Sequence, residues 1–275
     1  MREKPLHSFA VLAYKNSPYL EECLRSLVSQ TRKSEVYIAT STPSKYIQKL
    51  ADKYSCNLYV NQNSSGIASD WNFAFSRCKT PYLTLAHQDD IYLPEYTASL
   101  FNNKKIENSL ITFTDYSELL VGTIRENTAN LLIKKILRLP FLFSGELSSK
   151  FYKRFILSFG SPIPCPSVMY NTLKLKDFRF SGEFSINMDW AAWLELSRKE
   201  GSFVFERKKL FLHRIHQGSE TTKGITDRRR WNEDKRIFAM IWPSWFAKIL
   251  VRLYSLSYQS NHWLGSLYKL FLKQY

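Results

Sequence analysis

The 275 residues are enough for one large domain, or for a domain with an appendage, to bury a sizeable core. Aromatic residues make up 15% of the chain and there are only 9 Gly and 10 Pro, which excludes a disordered protein. The 39 Lys and Arg against 24 Asp and Glu give a net charge of +15. This excess predicts attraction to phosphate groups in nucleic acids, anionic lipids or nucleotide-linked substrates.

The cysteines and the apolar runs narrow the class of protein further. The 4 cysteines are scattered without C-x-x-C spacing, which disfavours zinc and redox sites and predicts reduced core thiols in a cytosolic protein. The apolar run near the N-terminus is broken by Tyr14, Lys15 and Asn16, so it makes a poor signal peptide. No uninterrupted apolar window of about 18 residues occurs, so we expect no membrane-spanning helix.

Apolar strand patterns alternate with helical patterns along the first half of the chain. This alternation predicts βαβ units and a parallel sheet, whose ligands bind beyond the carboxyl ends of the strands. The predicted strands are 8–14, 35–40, 57–60 and the run from Pro81, and the predicted helices are 19–30, 45–54 and 67–77. Further strands are expected at 110–116, 202–206 and 209–212, and a helix after Asn187.

The run that begins at Pro81 ends abruptly in the adjacent carboxylates Asp89 and Asp90. Like charges at the end of a buried strand repel, so a bound cation facing an anionic ligand would explain the pair. The ordinary alternative is a solvated loop or a helix cap, where Asp is common.

The motifs, in their order, resemble the nucleotide-binding half of family 2 glycosyltransferases. They are Val11-Leu12-Ala13-Tyr14, Tyr19-Leu20-Glu21-Glu22-Cys23-Leu24, Ser26-Leu27 with Gln30-Thr31, Gly66 with Asn72, and His87-Gln88-Asp89-Asp90. The stretch 88–94 is most similar to bacterial enzymes of surface polysaccharide assembly, including rhamnosyltransferase-like members. The resemblance implies an α/β GT-A fold, Rossmann-like with a mixed, mostly parallel sheet, and inverting transfer from a nucleoside diphosphate sugar with Mn or Mg.

The resemblance also implies roles for individual residues. Asp89 and His216 would bind the metal, and Asp189 would be the catalytic base. The nucleotide sugar would contact Ala13, Tyr14, Thr40, Ser41, Gly66, Asp70, Asn72, His87, Asp90 and Arg214. This chain departs from the family pattern at Thr40-Ser41-Thr42-Pro43, where many relatives have Asp-Asp-Gly-Ser, and at His87, which replaces the first Asp of Asp-x-Asp.

Two rival functions start from the same sequence. Ala86-His87-Gln88-Asp89-Asp90 also resembles the motif of zinc-dependent sugar deacetylases, and His213 and His216 have the His-x-x-His spacing of such enzymes. Ile91 stands where that motif has Glu, and the motif follows the fourth predicted strand instead of the first. A basic nucleic-acid-binding protein is the second rival, but no nucleic-acid motif occurs and we expect no nucleic-acid partner.

The C-terminal half carries basic amphipathic segments. Residues 131–159 combine Lys134, Lys135, Arg138, Lys150, Lys153 and Arg154 with many apolar residues and one acid, which indicates a surface for anionic lipid or an ordinary packed helix. Two apolar stripes follow at helical spacing, Trp242, Trp245, Phe246, Ile249, Leu250 and Leu253, then Trp263, Leu264, Leu267, Tyr268 and Phe271. They favour peripheral membrane contact, with an acceptor-site hairpin or a homodimer interface as alternatives.

These patterns predict where the domains of the chain begin and end and where in the cell the protein works. We expect a GT-A domain over residues 1–224, with a nucleotide-binding half over about 1–116 and an acceptor half over about 117–224, and a helical tail over 225–275. The acceptor would be a lipid-linked glycan, and the enzyme would work in the cytoplasm at the inner face of the cell membrane.

Overall fold

The computed structural model describes residues 4–258. The second apolar stripe predicted for the tail, 263–271, lies outside the described residues.

The N-terminal half forms the parallel sheet that the sequence predicts. Strand β1 pairs in parallel with β2 on one side and β4 on the other, and β2 pairs in parallel with β3. The strands are β1 (His7–Ala13), β2 (Glu35–Thr40), β3 (Asn57–Val60) and β4 (Tyr82–His87). The connecting helices are α1 (Leu20–Val28), α2 (Lys45–Lys53) and α3 (Ile67–Ser76). The alternating pattern therefore predicted these elements to within a few residues.

The C-terminal half extends the same sheet. Its strands are β5 (Ile91–Tyr92), β6 (Ser109–Leu120), β7 (Thr123–Arg125), β8 (Glu146–Leu147), β9 (Val168–Asn171) and β10 (Ser202–Ile215). Across the sheet the order is β3-β2-β1-β4-β9-β6-β10-β5, with β7 beside β6 and β8 beside β10. Because β9 runs antiparallel to both β4 and β6, the sheet is mixed while β6 and β10 remain parallel to the first four strands.

Strand β10 corrects the prediction of two separate strands at 202–206 and 209–212. It is one strand whose pairing with β6 shifts register between Glu206 and Lys209. A bulge of this kind bends a strand without ending it, so the polar break at Arg207 and Lys208 was taken for a turn.

Helices cover both faces of the sheet and enclose two hydrophobic clusters. The remaining helices are α4 (Tyr96–Asn102), α5 (Ala129–Leu137), α6 (Phe141–Ser144), α7 (Lys150–Leu157), α8 (Met188–Leu196), α9 (Glu220–Thr226), α10 (Arg229–Ala239) and α11 (Ser244–Tyr254). The larger cluster contains the buried Trp190 and Trp193 of α8. Phe238 and Tyr254 pack against Trp190 with ring centroids 5.1 and 5.5 Å away, so the described part of the tail belongs to the core.

Half of the six cations of 131–159 point into the protein, so they do not belong to the lipid-facing surface that was one of the two interpretations of this stretch. The Arg138 guanidinium lies 2.7 Å from Asp115, and the buried Lys153 donates hydrogen bonds to the backbone carbonyls of Lys199 and Gly201. Lys134 lines the main cavity of the molecule. These cations point inward because each finds a carboxylate, a carbonyl or a polar cavity there, and apolar side chains of the same helices are left exposed.

None of the helices within residues 4–258 combines the length and apolar character needed to cross a bilayer.

A buried histidine makes the fold sensitive to acid. His7 of β1 lies between the hydroxyls of Ser34 and Thr84, at 2.9 and 3.0 Å, and burial lowers its pKa to about 3. The unfolded chain binds a proton on this ring below its ordinary pKa of about 6.5, whereas the folded protein does not until near its own lower pKa. The stability that the neutral ring provides is therefore present above that range and is lost as pH falls through it.

We predict that the free energy of unfolding falls by about 1.4 kcal/mol from this residue between about pH 7.5 and about pH 5.5. The His7→Gln variant should lose that part of the pH dependence, whatever its stability at the higher pH. Urea unfolding of both proteins at the two pH values measures the difference. Equal losses in both would contradict the assignment to His7.

Candidate active site

A cavity of about 860 Å³ opens at the carboxyl ends of the parallel strands, where ligands of such sheets bind. The predicted residues that line it are Ala13, Tyr14, Ser41, Gly66, Asp70, His87, Asp89, Asp189 and His216. Residues that the sequence did not single out as site residues also line it, among them Tyr19, Trp71, Glu118, Asn130, Lys134 and Arg230.

The ends of β1 and β4 are fixed to each other at the mouth of the cavity. The Gln88 side chain accepts a hydrogen bond from the Tyr14 backbone N–H at 3.0 Å and donates one to the Tyr14 carbonyl at 3.1 Å. Gly66 precedes α3 with φ of +118°, a conformation that L side chains rarely adopt. The motif residues therefore meet at one edge of the sheet because of the strand order and a glycine turn.

Asp70 is held at the cavity wall by two donors. The Ser41 hydroxyl donates to one of its oxygens at 2.7 Å, and the Asn61 side-chain amide donates to the other at 2.8 Å. With both oxygens oriented, Asp70 remains a fixed acceptor that a ligand donor could approach from the cavity.

Asp89 is bound by a residue that lies far along the chain. His216 Nε2, just beyond β10, lies 2.8 Å from Asp89 Oδ2, and the Tyr19 ring packs on His216 with centroids 4.9 Å apart. Burial alone would raise the pKa of Asp89, but the hydrogen bond from His216 brings the pKa below its usual value. Asp89 is therefore kept ionised at the cavity.

The end of β4 has the ligand set for a divalent metal. One ligand atom each from His87, Asp89 and Asp90 lie within 4.8 Å of one another. Among the described residues, the buried His87 Nε2 and Asp90 Oδ2 have no hydrogen-bond partner. Imidazole and carboxylate suit Mn, and carboxylate oxygens suit Mg, so the donor set fits such an ion.

Asp90 and Arg214 do not line the cavity, and their contact with the nucleotide sugar stays a prediction. Asp90 is fully buried and accepts hydrogen bonds from the Arg214 backbone N–H at 2.9 Å and from His213 at 3.1 Å. The Arg214 guanidinium pairs with Glu22 at 2.5 Å and donates to the Asp89 carbonyl at 2.8 Å. Both side chains instead fix β10 to the end of β4.

The contact with Asp90 changes the pKa of His213. Burial would lower the pKa of its ring, but the charge and hydrogen bond of Asp90 raise the pKa above its usual value.

Thr40 and Asn72 also lie outside the cavity lining. The Thr40 hydroxyl accepts the Thr42 backbone N–H at 3.0 Å within the turn after β2. The Asn72 side chain bonds both the N–H and the carbonyl of Phe180, at 2.7 and 2.9 Å. Since these polar groups already have partners, the two residues hold local structure where ligand contact was expected.

Asp189 occupies the first turn of α8 and faces the same cavity as Asp89. Its Oδ1 accepts the Trp190 backbone N–H at 2.7 Å. Burial raises its pKa, and the nearby cations Arg230 and Lys134 oppose this rise. A buried carboxylate with a raised pKa, held in a cavity, is suited to accept a proton.

Lys134 is the functional candidate that sequence reasoning placed wrongly. Burial lowers its pKa to about 8, while the charge of Asp189 opposes that effect. Its ammonium lies 5.3 Å from the centre of the Tyr116 ring, and no hydrogen bond to it occurs among the described residues. Its place among the basic residues of 131–159 gave no signal, because only the packing of α5 shows which of them turns inward.

Comparison with known proteins identifies the family. The model of glycosyl transferase family 2 matches residues 8–155. The chain belongs to this family. An uncharacterized glycosyltransferase of Rickettsia typhi is 22% identical over 80% of this chain and 67% of its own length. A second uncharacterized glycosyltransferase, from Rickettsia prowazekii, is 22% identical over 98% of this chain and 80% of its own length.

Two solved proteins share the fold of this chain. Residues 1–349 of S. aureus TarS superpose with a TM-score of 0.57 and 16% identity over 92% of this chain and 72% of that one. The Pyrobaculum calidifontis mannosyltransferase PcManGT, in complex with GDP-Man and Mn²⁺, superposes with a TM-score of 0.61 and 13% identity, over 95% of this chain and 72% of that one. TarS has also been solved with UDP-GlcNAc. These likenesses establish the GT-A fold with its mixed, mostly parallel sheet and helical C-terminal part.

The deacetylase alternative finds no support in these comparisons. The His87-Gln88-Asp89-Asp90 motif ends the fourth strand of a GT-A sheet, and His213 and His216 are bound to its carboxylates from β10.

Proposed function

We propose that this family 2 glycosyltransferase moves a sugar, with inversion, from a nucleoside diphosphate sugar to a hydroxyl of a glycan acceptor. The observation that carries the proposal is that Asp89 and Asp189, a hundred residues apart in sequence, line one cavity. One carboxylate has a metal-binding neighbourhood, and the other is separately buried with a raised pKa. Attack and departure on opposite sides of a sugar need two such groups.

The nucleoside would lie over the ends of β1 and β2. Ala13 and Tyr14 border this part of the cavity, with Ser41, Gly66 and Asp70. Asp70 would accept from the base or the ribose, because both its oxygens are already oriented. Donor complexes of two structural neighbours, with UDP-GlcNAc and GDP-Man, support a nucleotide-sugar donor and do not decide the base.

The diphosphate would lie at the end of β4. Asp89 and His87, which line the cavity, would hold a divalent ion, Mn or Mg, together with His216, which lies 2.8 Å from Asp89. Such an ion, when bound, neutralises charge on a departing diphosphate.

Asp189 would act as the base. Its carboxylate takes the proton of the acceptor hydroxyl while the hydroxyl oxygen forms a bond to the anomeric carbon, and the bond from that carbon to the diphosphate oxygen breaks. In-line attack from the face opposite the diphosphate inverts the anomeric centre. The charges of Lys134 and Arg230 favour the ionised form of Asp189 and oppose the rise in its pKa that burial causes.

The cellular setting is part of the proposal. The acceptor would be lipid-linked, the product a bacterial surface polysaccharide, and the enzyme would sit at the inner face of the cell membrane, by itself or as a homodimer. The division at about residues 116 and 224 stays a prediction.

The Asp189→Asn variant should bind donor as the wild type does but transfer sugar more slowly by on the order of 10²–10⁴-fold, because the amide accepts no proton. Donor affinity is measured by calorimetry and transfer by release of nucleoside diphosphate. Asp177→Asn, an exposed carboxylate, is the matched control and should keep the wild-type rate. Wild-type transfer by Asp189→Asn would remove the base assignment.

The Asp89→Ala variant should lose the part of nucleotide binding that depends on Mn. A thermal-shift titration with nucleoside diphosphate, with and without Mn, measures this, since binding to the native state raises its midpoint. Asp52→Ala, on the surface of α2, should respond as the wild type does. If Mn raised the midpoint of Asp89→Ala with nucleoside diphosphate as much as that of the wild type, the ion would not be bound by Asp89.

The Lys134→Met variant should move the acid limb of the kcat/KM profile to higher pH. Without the cation the pKa of Asp189 rises further, so the base is protonated over more of the acid range, while rates well above that range stay near those of the wild type. Lys135→Met, the exposed neighbour, is the control and should leave the profile in place. A loss of equal size at every pH would mean that Lys134 contacts substrate and does not tune the base.

A further inference from the structure

Four helices of the C-terminal half turn apolar side chains outward. Phe143 is 95% exposed, Phe151 70% and Trp245 67%. We name the set the apolar ridge: Leu132, Ile136 and Leu139 at α5, Leu142 and Phe143 of α6, Phe151, Tyr152 and Phe155 of α7, and Trp245, Ile249 and Leu253 of α11, with Leu256 after it. Isolated exposed apolar residues are ordinary, but a contiguous set marks an interaction surface.

Ring contacts connect α7 with α11. Phe151 and Phe155 have centroids 6.2 Å apart, Phe155 and Phe159 5.6 Å, and Phe159 and Trp242 5.4 Å. Phe246 continues the row at 5.1 Å from Trp242 and 5.4 Å from Trp245.

Helix α5 joins the same side of the molecule. It contacts the turn that follows α11, residues 255–258. Leu137 of α5 and Tyr254 of α11 both pack close to Gly160. Segments far apart in sequence, α5, α7 and α11, are therefore neighbours in the ridge, and α6 joins them through its backbone hydrogen bonds to the residues just after α5.

The positive charge around the ridge favours an anionic partner. Helices α5, α6, α7 and α11 contain no Asp or Glu, and the exposed cations Lys135, Lys150, Lys248 and Arg252 are distributed among them. A shallow cavity of about 320 Å³ beside Phe151 is lined by Lys150, Arg154, Ser197 and Arg198. Lys150 also pairs with Glu200 at 2.5 Å, and Arg154 and Arg198 supply donors suited to a lipid phosphate. Aromatic and aliphatic side chains next to Lys and Arg are typical of surfaces that lie in the interface of an anionic bilayer.

We infer that the apolar ridge docks this enzyme onto an anionic lipid bilayer. The side chains of the ridge enter the interfacial region, and the cations around them bind lipid phosphates. Arg138 and Lys153 are paired inside the protein, so the exposed apolar side chains of the ridge and the exposed cations beside them are the groups that remain for the membrane.

Docking in this way would bring the acceptor to the base. Asn130 and Lys134 of α5 line the cavity that contains Asp189, while Leu132 and Ile136 of the same helix belong to the ridge. One helix thus separates the bilayer from the site. This consequence rests on the proposed function, because it needs Asp189 to receive the hydroxyl of a lipid-linked acceptor; the docking itself does not.

The test is co-sedimentation of the full chain with vesicles of equal parts phosphatidylcholine and phosphatidylglycerol, against vesicles of phosphatidylcholine alone. We expect binding that is stronger with phosphatidylglycerol and weakened by salt. The Phe143→Ser/Phe151→Ser double variant should lose at least roughly tenfold in partitioning, from the burial of two aromatic rings. The matched control is Leu173→Ser, 62% exposed and away from the ridge, which should bind as the wild type does.

Two further measurements separate the outcomes. Thermal shift with nucleoside diphosphate should be the same in all variants, so loss of vesicle binding is distinguished from loss of the fold or of the proposed donor site. Light scattering reports the oligomeric state. Unchanged vesicle binding by the double variant, through residues 259–275 or any other segment, overturns the proposal. So does a dimer of the wild type that the double variant turns into a monomer without loss of vesicle binding, since the ridge is then a protein interface.

Discussion

Two neighbouring carboxylates at the end of a buried strand repel each other, and hydrogen bonds from β10 and the residue after it offset this repulsion. Asp90 is compensated by His213 and the backbone N–H of Arg214, and Asp89 by His216. These contacts connect positions more than a hundred residues apart, so the end of β4 is held by β10 and the residue that follows it. Without them the repulsion of the pair would open the edge where the cavity lies. The contacts between β4 and β10 therefore help to form one cavity from residues of both halves of the chain.

Much of this arrangement could be predicted from local patterns. Strand and helix periodicity gave the first four strands and three helices, because one face of each is buried against neighbours close in sequence. The motif at β4 and the acid before Trp190 gave Asp89 and Asp189, which line one cavity. Local patterns could not predict which group each polar side chain binds in the folded protein. Arg214 has the chemistry of a phosphate ligand, yet Glu22 and the Asp89 carbonyl occupy its guanidinium.

The same limit explains the basic helices. A sequence such as that of α5 shows an amphipathic pattern, but the pattern does not say whether the apolar or the polar face meets the core. Here tertiary partners decided: Asp115 for Arg138, two carbonyls for Lys153 and the cavity for Lys134. Ile156 and Leu157 of α7 are buried beside Lys153, while Phe143 of α6 and Phe151 of α7 stay exposed. The amphipathic signal was therefore real, but it did not show which apolar side chains would meet the core.

The account depends on Asp89 and Asp189 acting across one bound donor. A crystal structure of the protein with Mn and a nucleoside diphosphate, with the ion located by its anomalous scattering, tests this most directly. The account predicts Mn bound to the Asp89 carboxylate, and the diphosphate in the cavity between that ion and Asp189. Mn and nucleotide bound outside the cavity, or a diphosphate on the far side of Asp89 from Asp189, would contradict it.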